Sequence, residues 1–143
     1  MKTALALLLI SFFILTGCSK GPEVTPLTAE EKLAKLLTAD GNRLWHLKAV
    51  YQNDTLQTLT ASQLTYTKTF TLGAGQTSQG SFTDNDLKGT WKVMTGSSFY
   101  LEFYSAAGKF YHLDCNVLSI SETKLDFSYP YNMVKNEEVY YAY

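Results

Sequence analysis

The chain contains few of the residues that catalysis, metal binding and nucleic-acid binding require. It has two cysteines and two histidines, and His46 and His112 do not form the His-x-x-x-His spacing that places two metal ligands on one helix face. We therefore predict no metal site and no cofactor. Twelve basic and thirteen acidic side chains leave a net charge of −1, with no block of either sign. Because a nucleic-acid partner requires a basic face, this balance argues against nucleic-acid binding.

Arrangements of catalytic side chains are equally scarce. In an extended strand, His112 and Asp114 share one face, and Cys115 lies on the other as a small buried side chain, so they form no cysteine–histidine pair. Glu102 is interpreted as an outward carboxylate among strand aromatics rather than as a general acid. Residues 84–86, Asp-Asn-Asp, lack the later glutamate of a calcium-binding loop and are typical of a turn. The sequence therefore predicts a protein that is not an enzyme.

The N-terminal segment has the three parts of an export signal. Lys2 gives it a positive start, residues 4–15 are mostly aliphatic, and Thr16 and Gly17 are small. The aliphatic part is too short for a membrane-spanning helix, which needs about 20 residues. Cys18 resembles the lipobox cysteine, which is alkylated by diacylglycerol and becomes the first residue of the mature protein. The resemblance implies lipidation of Cys18, with acyl chains such as palmitate holding the protein on a membrane.

These features divide the chain into three parts. Residues 1–17 are the predicted signal peptide, residues 18–27 are a lipidated terminus with a flexible tether, and residues 28–143 are one folded domain. With Cys18 lipidated, no intramolecular disulfide can form. Ser19, rather than an aspartate, follows Cys18, a pattern compatible with sorting to the outer membrane. We expect a protein of the cell envelope, anchored at the outer membrane on a face that the sequence does not specify.

The domain is predicted to begin with one short amphipathic helix over about residues 28–38. Thr28 and Glu31 form the capping-box pattern, in which each side chain satisfies a free backbone amide of the other residue. Leu33 and Leu37 follow at helical spacing, with Leu36 beside them. The polar face of this helix is not basic enough for a membrane surface, so the leucines are expected to pack on the domain.

From residue 42 onward the hydrophobic period changes to two, which is the period of a β-strand. Eight strands are expected, separated by hairpin-length turns and without a second helical segment. They cover about residues 45–51, 64–72, 76–82, 89–94, 99–104, 109–120, 124–130 and 137–143. Short strands in even succession predict an all-β fold, an eight-stranded antiparallel up-and-down barrel, because closure removes exposed strand edges.

Several short motifs occur in a characteristic order. They are the lipobox, the short helix, Trp45-His46-Leu47, Gly89-Thr90-Trp91, and a tail pattern of Tyr111, Leu113, Leu118-Ser119, Leu125 and Phe127. Over about residues 28–143, the chain resembles the small lipocalin-like lipoproteins of Bacteroidetes-type Gram-negative bacteria. The resemblance implies a lipocalin-like barrel held at the membrane by the N-terminal lipid.

The interior of the barrel decides between two functions. An eight-stranded barrel encloses a space that side chains can just fill or that can hold one small ligand. In the first hypothesis a small apolar or amphipathic ligand binds inside the barrel. In the second the core is solid, and the tyrosine-rich surface beyond residue 100 binds an envelope protein or a glycan. The candidate interior residues are Trp45, Tyr51, Tyr66, Phe70, Trp91, Phe99, Phe103, Tyr111, Phe127 and Tyr141.

Overall fold

The computed structural model describes residues 25–143, so the predicted signal peptide, Cys18 and most of the tether lie outside the described residues. Within this range one helix precedes nine strands. The elements are α1 (Ala29–Thr38), β1 (Asn42–Gln52), β2 (Thr55–Leu56), β3 (Thr67–Leu72), β4 (Gln79–Asp84), β5 (Leu87–Thr95), β6 (Ser98–Tyr104), β7 (Phe110–Ile120), β8 (Lys124–Tyr131) and β9 (Val134–Tyr141). A single 3-10 turn, Gln63–Thr65, lies between β2 and β3.

Eight of these strands form a closed antiparallel barrel. From β3 to β9 each strand pairs with the next one in the chain, and β1 closes the sheet by pairing with both β3 and β9. The additional strand, β2, pairs only two residues with the end of β1. The predicted all-β up-and-down barrel with one N-terminal helix is therefore confirmed. Because residues 29–141 contain the helix and every strand of the closed sheet, they form a self-contained unit.

Helix α1 covers one end of the barrel, which we call the closed end. Thr28 Oγ1 accepts a hydrogen bond from the amide of Glu31, whose carboxylate accepts one from the amide of Thr28, so the predicted capping box is confirmed. Leu33 and Leu37 are buried against the barrel, and Trp45 Nε1 donates to Leu37 O at 3.0 Å. The helix packs on β1, β3 and β5. No helix among residues 25–143 is both long and apolar enough to cross a bilayer.

A β-bulge in β1 changes which side chains face the interior. The register of β1 against β9 shifts between Leu47 and Ala49. Since successive strand residues alternate between faces, one extra residue reverses the orientation of everything that follows. Val50 therefore pairs with Glu138, whose carboxylate lies inside the barrel, and Tyr51 faces outward. The prediction that Tyr51 lines the interior is wrong for this reason.

Two other tyrosines assigned to the interior are also placed differently. The strand expected from residue 64 begins at Thr67, because a 3-10 turn precedes it, and Tyr66 ends that turn with 38 % of its surface exposed. In β9 the inward residue is Tyr140, which is 1 % exposed, so its neighbour Tyr141 faces outward and is 38 % exposed. From the sequence alone, either alternate set of β9 side chains could face inward. The set that contains Tyr141 was predicted, and the set that contains Tyr140 is the one that does.

Candidate functional site

Half of the candidate interior residues fill the barrel near the closed end. Trp45, Phe70, Trp91, Phe99 and Phe127 are each at most 1 % exposed. The Phe70 ring meets Trp91 and Phe99 edge to face, with ring centroids 5.9 and 5.7 Å apart. This geometry is typical of a packed aromatic core. These five side chains belong to one hydrophobic cluster that also includes Leu33 and Leu37, so the solid part of the interior lies beside α1.

The opposite end, which we call the open end, carries an aromatic depression of about 320 Å³. Phe103 and Tyr111, two of the predicted interior residues, lie in it with their rings stacked at 5.2 Å and an interplanar angle of 12°. Tyr131 approaches Tyr111 at 6.1 Å. We call this depression the open-end pocket, and its lining residues are Phe103, Ser105, Tyr111, Leu113, Tyr129 and Tyr131. They come from the end of β6, the start of β7 and the end of β8.

A buried lysine lies inside the barrel between these two regions. Lys68 is 3 % exposed, and its Nζ lies 3.0 Å from Glu138 Oε2 and 3.4 Å from Asp84 Oδ2. The same ammonium group lies 5.0 Å from the ring centroids of Phe127 and Tyr140. Burial lowers the pKa of Lys68, but the attraction of Glu138 and its neighbours raises it well above its ordinary value. Lys68 is therefore charged.

Two tyrosines complete the hydrogen bonds of Glu138. The hydroxyl of Tyr129 donates to Oε1 and that of Tyr140 to Oε2, both at 2.7 Å. Burial raises the pKa of Glu138, but Lys68 and these hydroxyls lower it below its ordinary value. Burial and the adjacent carboxylate raise the pKa values of both tyrosines, so the phenols remain protonated donors. We call these residues, Lys68, Asp84, Tyr129, Glu138 and Tyr140, the Lys68 cluster.

Tyr129 belongs both to the open-end pocket and to the Lys68 cluster. Its ring lines the pocket, while its hydroxyl reaches the buried carboxylate. The sequence prediction missed the cluster, although one signal was present: Lys68 stands between Tyr66 and Phe70, in phase with inward residues of β3. A lysine in an inward register requires a buried carboxylate elsewhere in the chain, and periodicity alone does not identify which one.

A second polar group lies on the outer face of β6 and β7. His112 Nδ1 lies 3.0 Å from Glu102 Oε1, and its Nε2 lies 3.2 Å from Asp114 Oδ1. The hydrogen bond to Glu102 is the main reason why the pKa of His112 is raised. Cys115 points into the barrel, where burial raises the thiol pKa to about 12. The prediction that His112 and Cys115 occupy opposite faces of one strand is confirmed.

Neither the donor atoms nor known proteins identify a ligand. Within residues 25–143, no three or more histidine, cysteine, aspartate or glutamate residues are grouped so that they could hold a metal ion. Comparisons with protein-family models, with curated proteins and with solved structures found no match. The function is therefore inferred from the geometry of the open end and the chemistry of its side chains.

Proposed function

We propose that this chain is a non-enzymatic, lipid-anchored protein of the cell envelope whose lipocalin-like barrel binds a small amphipathic ligand at its open end. The observation that carries the proposal is the open-end pocket, where about 320 Å³ of space adjoins the Phe103 and Tyr111 rings and the hydroxyl-bearing Tyr129. Ligand sites are typically concave, mostly apolar and supplied with a few oriented polar groups. The open end has this composition, whereas side chains fill the barrel interior at the closed end.

The position at which α1 begins supports an anchored binding protein. Ala29, at the start of α1, lies against Gly96 in the turn between β5 and β6, at the closed end of the barrel. A lipid on Cys18 would thus be joined to the domain at the end opposite the open-end pocket. In this arrangement the anchored segment does not cover the pocket, which is accessible to a ligand in the aqueous phase.

The proposal is tested by titrating a chain that begins at Ser19 with N-phenyl-naphthylamine, a neutral amphipath whose fluorescence rises in an apolar site. Residues 29–141 form a self-contained unit, so this chain retains the barrel. Wild-type protein is expected to enhance the fluorescence, and Tyr111→Ala to weaken binding about tenfold, as loss of a central aromatic contact does. Tyr104→Ala, which alters a neighbouring outward tyrosine that is 66 % exposed, is the matched control. Equal affinity of Tyr111→Ala and Tyr104→Ala for the probe would contradict the proposal. So would the absence of a fluorescence increase with the wild-type protein.

A second candidate function is favoured by the outer face beside the open end. Tyr104 and Phe110 are 66 % and 48 % exposed, and their ring centroids lie 5.3 Å apart. Exposed aromatic pairs of this kind occur at binding surfaces, where a partner protein or a glycan covers them. In this alternative the domain is an interaction module for an envelope protein or a glycan. Tyr104→Ala would then abolish capture of that partner, while Tyr111→Ala would leave it unchanged.

A further inference from the structure

We propose that the open-end pocket selects ligands that carry an ammonium group beside an apolar body. This inference rests on the proposed function and specifies the chemical class of the ligand. It is derived from the hydrogen bond of Tyr129, the charges of the Lys68 cluster and the aromatic faces of the pocket.

The ring of Tyr129 lines the pocket, and its hydroxyl can act towards a ligand only as an acceptor. Its single proton is donated to Glu138 Oε1 at 2.7 Å, and Glu138 is also bound by Lys68 and by Tyr140. A phenol has one donor and two acceptor positions, so Tyr129 can only accept a further hydrogen bond. Donation to a carboxylate also makes the phenol oxygen a stronger acceptor. A ligand group that reaches this oxygen must therefore be a donor, such as an amine or an ammonium.

The charge behind Tyr129 favours a cation. The Lys68 cluster contains one ammonium and two carboxylates, those of Asp84 and Glu138, so its net charge is −1. Both carboxylates pair with Lys68, which is therefore already committed to them and does not offer its charge to a ligand anion. This negative charge attracts a cation and repels a carboxylate, whereas the ammonium group of Lys109, beside the Tyr111 ring, acts in the opposite sense.

The aromatic side of the pocket is already in contact with an ammonium group. Lys109, an exposed residue of the turn between β6 and β7, places its Nζ 5.0 Å from the ring centroid of Tyr111. Cations are attracted to the negative face of an aromatic ring. A ligand ammonium that binds the Tyr111 ring would take the position of Lys109, which makes Lys109 its competitor.

The test uses two fluorescent probes that share one apolar body and differ in charge, dansylcadaverine with a free ammonium and dansyl-aminohexanoate with a carboxylate. Wild-type protein is expected to bind the ammonium probe at least about fivefold more tightly, the ratio that one hydrogen bond or cation–π contact supplies. Lys109→Ala is expected to strengthen binding of the ammonium probe. Lys32→Ala, which removes an exposed lysine of α1 at the closed end, is the matched control.

A second variant tests the acceptor role of Tyr129. Tyr129→Phe keeps the ring but removes the acceptor oxygen, and it is expected to reduce the preference for the ammonium probe about threefold, with the neutral probe bound as before. Some preference remains because the carboxylates of Asp84 and Glu138 are unchanged. Tyr100→Phe, on the outer face, should leave the preference unchanged. A thermal unfolding transition establishes that each variant is folded. If Tyr129→Phe does not fold, Lys109→Ala still gives an independent result.

The outcomes separate this inference from the proposed function. If the neutral probe binds but the carboxylate probe binds as tightly as the ammonium probe, or more tightly, the inference is overturned and the proposed function stands. If Lys109→Ala weakens the ammonium probe, the inference is likewise overturned. If none of the three probes binds, both the proposed function and the inference are contradicted.

Discussion

Lys68 and Glu138 form an ion pair inside the barrel, with Nζ 3.0 Å from Oε2, and they come from β3 and β9, which flank β1 on either side. The two residues are 70 positions apart in the chain, so the pair joins distant strands. Two charges removed from water are stable only when they are well paired and their remaining polar atoms are hydrogen-bonded. Here two tyrosine hydroxyls donate hydrogen bonds to the carboxylate of Glu138. Loss of either charged partner should therefore be costly.

Replacing the buried lysine with a methionine of similar length is expected to destabilise the barrel strongly. Lys68→Met leaves Glu138 in the interior without its cation, and breaking a buried pair in this way costs about 3–5 kcal/mol of unfolding free energy. Lys92→Met, at an exposed position of β5, should change the free energy by less than about 0.5 kcal/mol. Urea unfolding measures both. A loss below about 1 kcal/mol for Lys68→Met would contradict the role of the pair.

Stability should decline at both extremes of pH because of the Lys68 cluster. The pKa of Glu138 is lowered in the folded state, so its stabilisation is present above its unfolded value of about 4.3 and is lost as the pH falls through the folded pKa. The pKa values of Lys68 and Tyr140 are raised, so their stabilisation is present below about pH 10 and is lost as the pH rises further.

Urea midpoints measured across the pH range test this prediction. Glu138→Gln should flatten the acid limb of the stability curve, because the variant cannot be protonated at this position. Glu137→Gln, on the outer face of β9, should keep the acid limb of the wild type. The same acid limb in both variants would contradict the contribution of Glu138 to the pH dependence.

The parts of the fold encoded by local signals were predictable from the sequence. The capping pair of Thr28 and Glu31, the leucine spacing of α1 and the period-two segments each depend on neighbours within a few residues. The β1 bulge was not predictable, because one additional residue leaves the composition of the strand unchanged while it turns Tyr51 outward. The phase of β9 was missed because its inward face carries Glu138, whose burial makes sense only beside Lys68.

The candidate site was predicted only in part. Phe103 and Tyr111 were assigned to the interior and do line the open-end pocket, whereas Trp45 and Trp91 belong to the solid core. Hydrophobic periodicity indicates which face of a strand a residue occupies, but not its position along the barrel axis. The division into a filled and an open end depends on where α1 packs, which is a tertiary property.

Gly89, two residues before Trp91, is expected to tolerate no side chain. A Cβ at Gly89 would overlap Glu102 O and lie 2.6 Å from Cε1 of Phe82. Gly89→Ala should therefore cost about 1–3 kcal/mol, as overpacking does. Gly41→Ala is the matched control, because a Cβ there meets no heavy atom within 4 Å. A lower urea midpoint for Gly89→Ala alone is the expected result, and equal midpoints would contradict the close approach of β5, β4 and β6.

The thiol of Cys115 is expected to be unreactive in the folded protein. It is 1 % exposed, and burial raises its pKa to about 12, so the reactive thiolate is scarce at neutral pH. In a chain that begins at Ser19, Cys115 is the only cysteine, and Ellman's reagent reports on it alone. Native protein should react very slowly and urea-unfolded protein at once. Rapid labelling of the native protein would contradict the inward orientation of Cys115.

The central claim is that the open-end pocket, and not the outer face, receives the ligand. Two-dimensional NMR of the chain that begins at Ser19, titrated with N-phenyl-naphthylamine, tests it most directly. The account predicts chemical-shift changes centred on Phe103, Tyr111 and Tyr129, with little change at Trp45 or Trp91. Changes centred on the outward pair Tyr104 and Phe110, or no change along the chain, would contradict it.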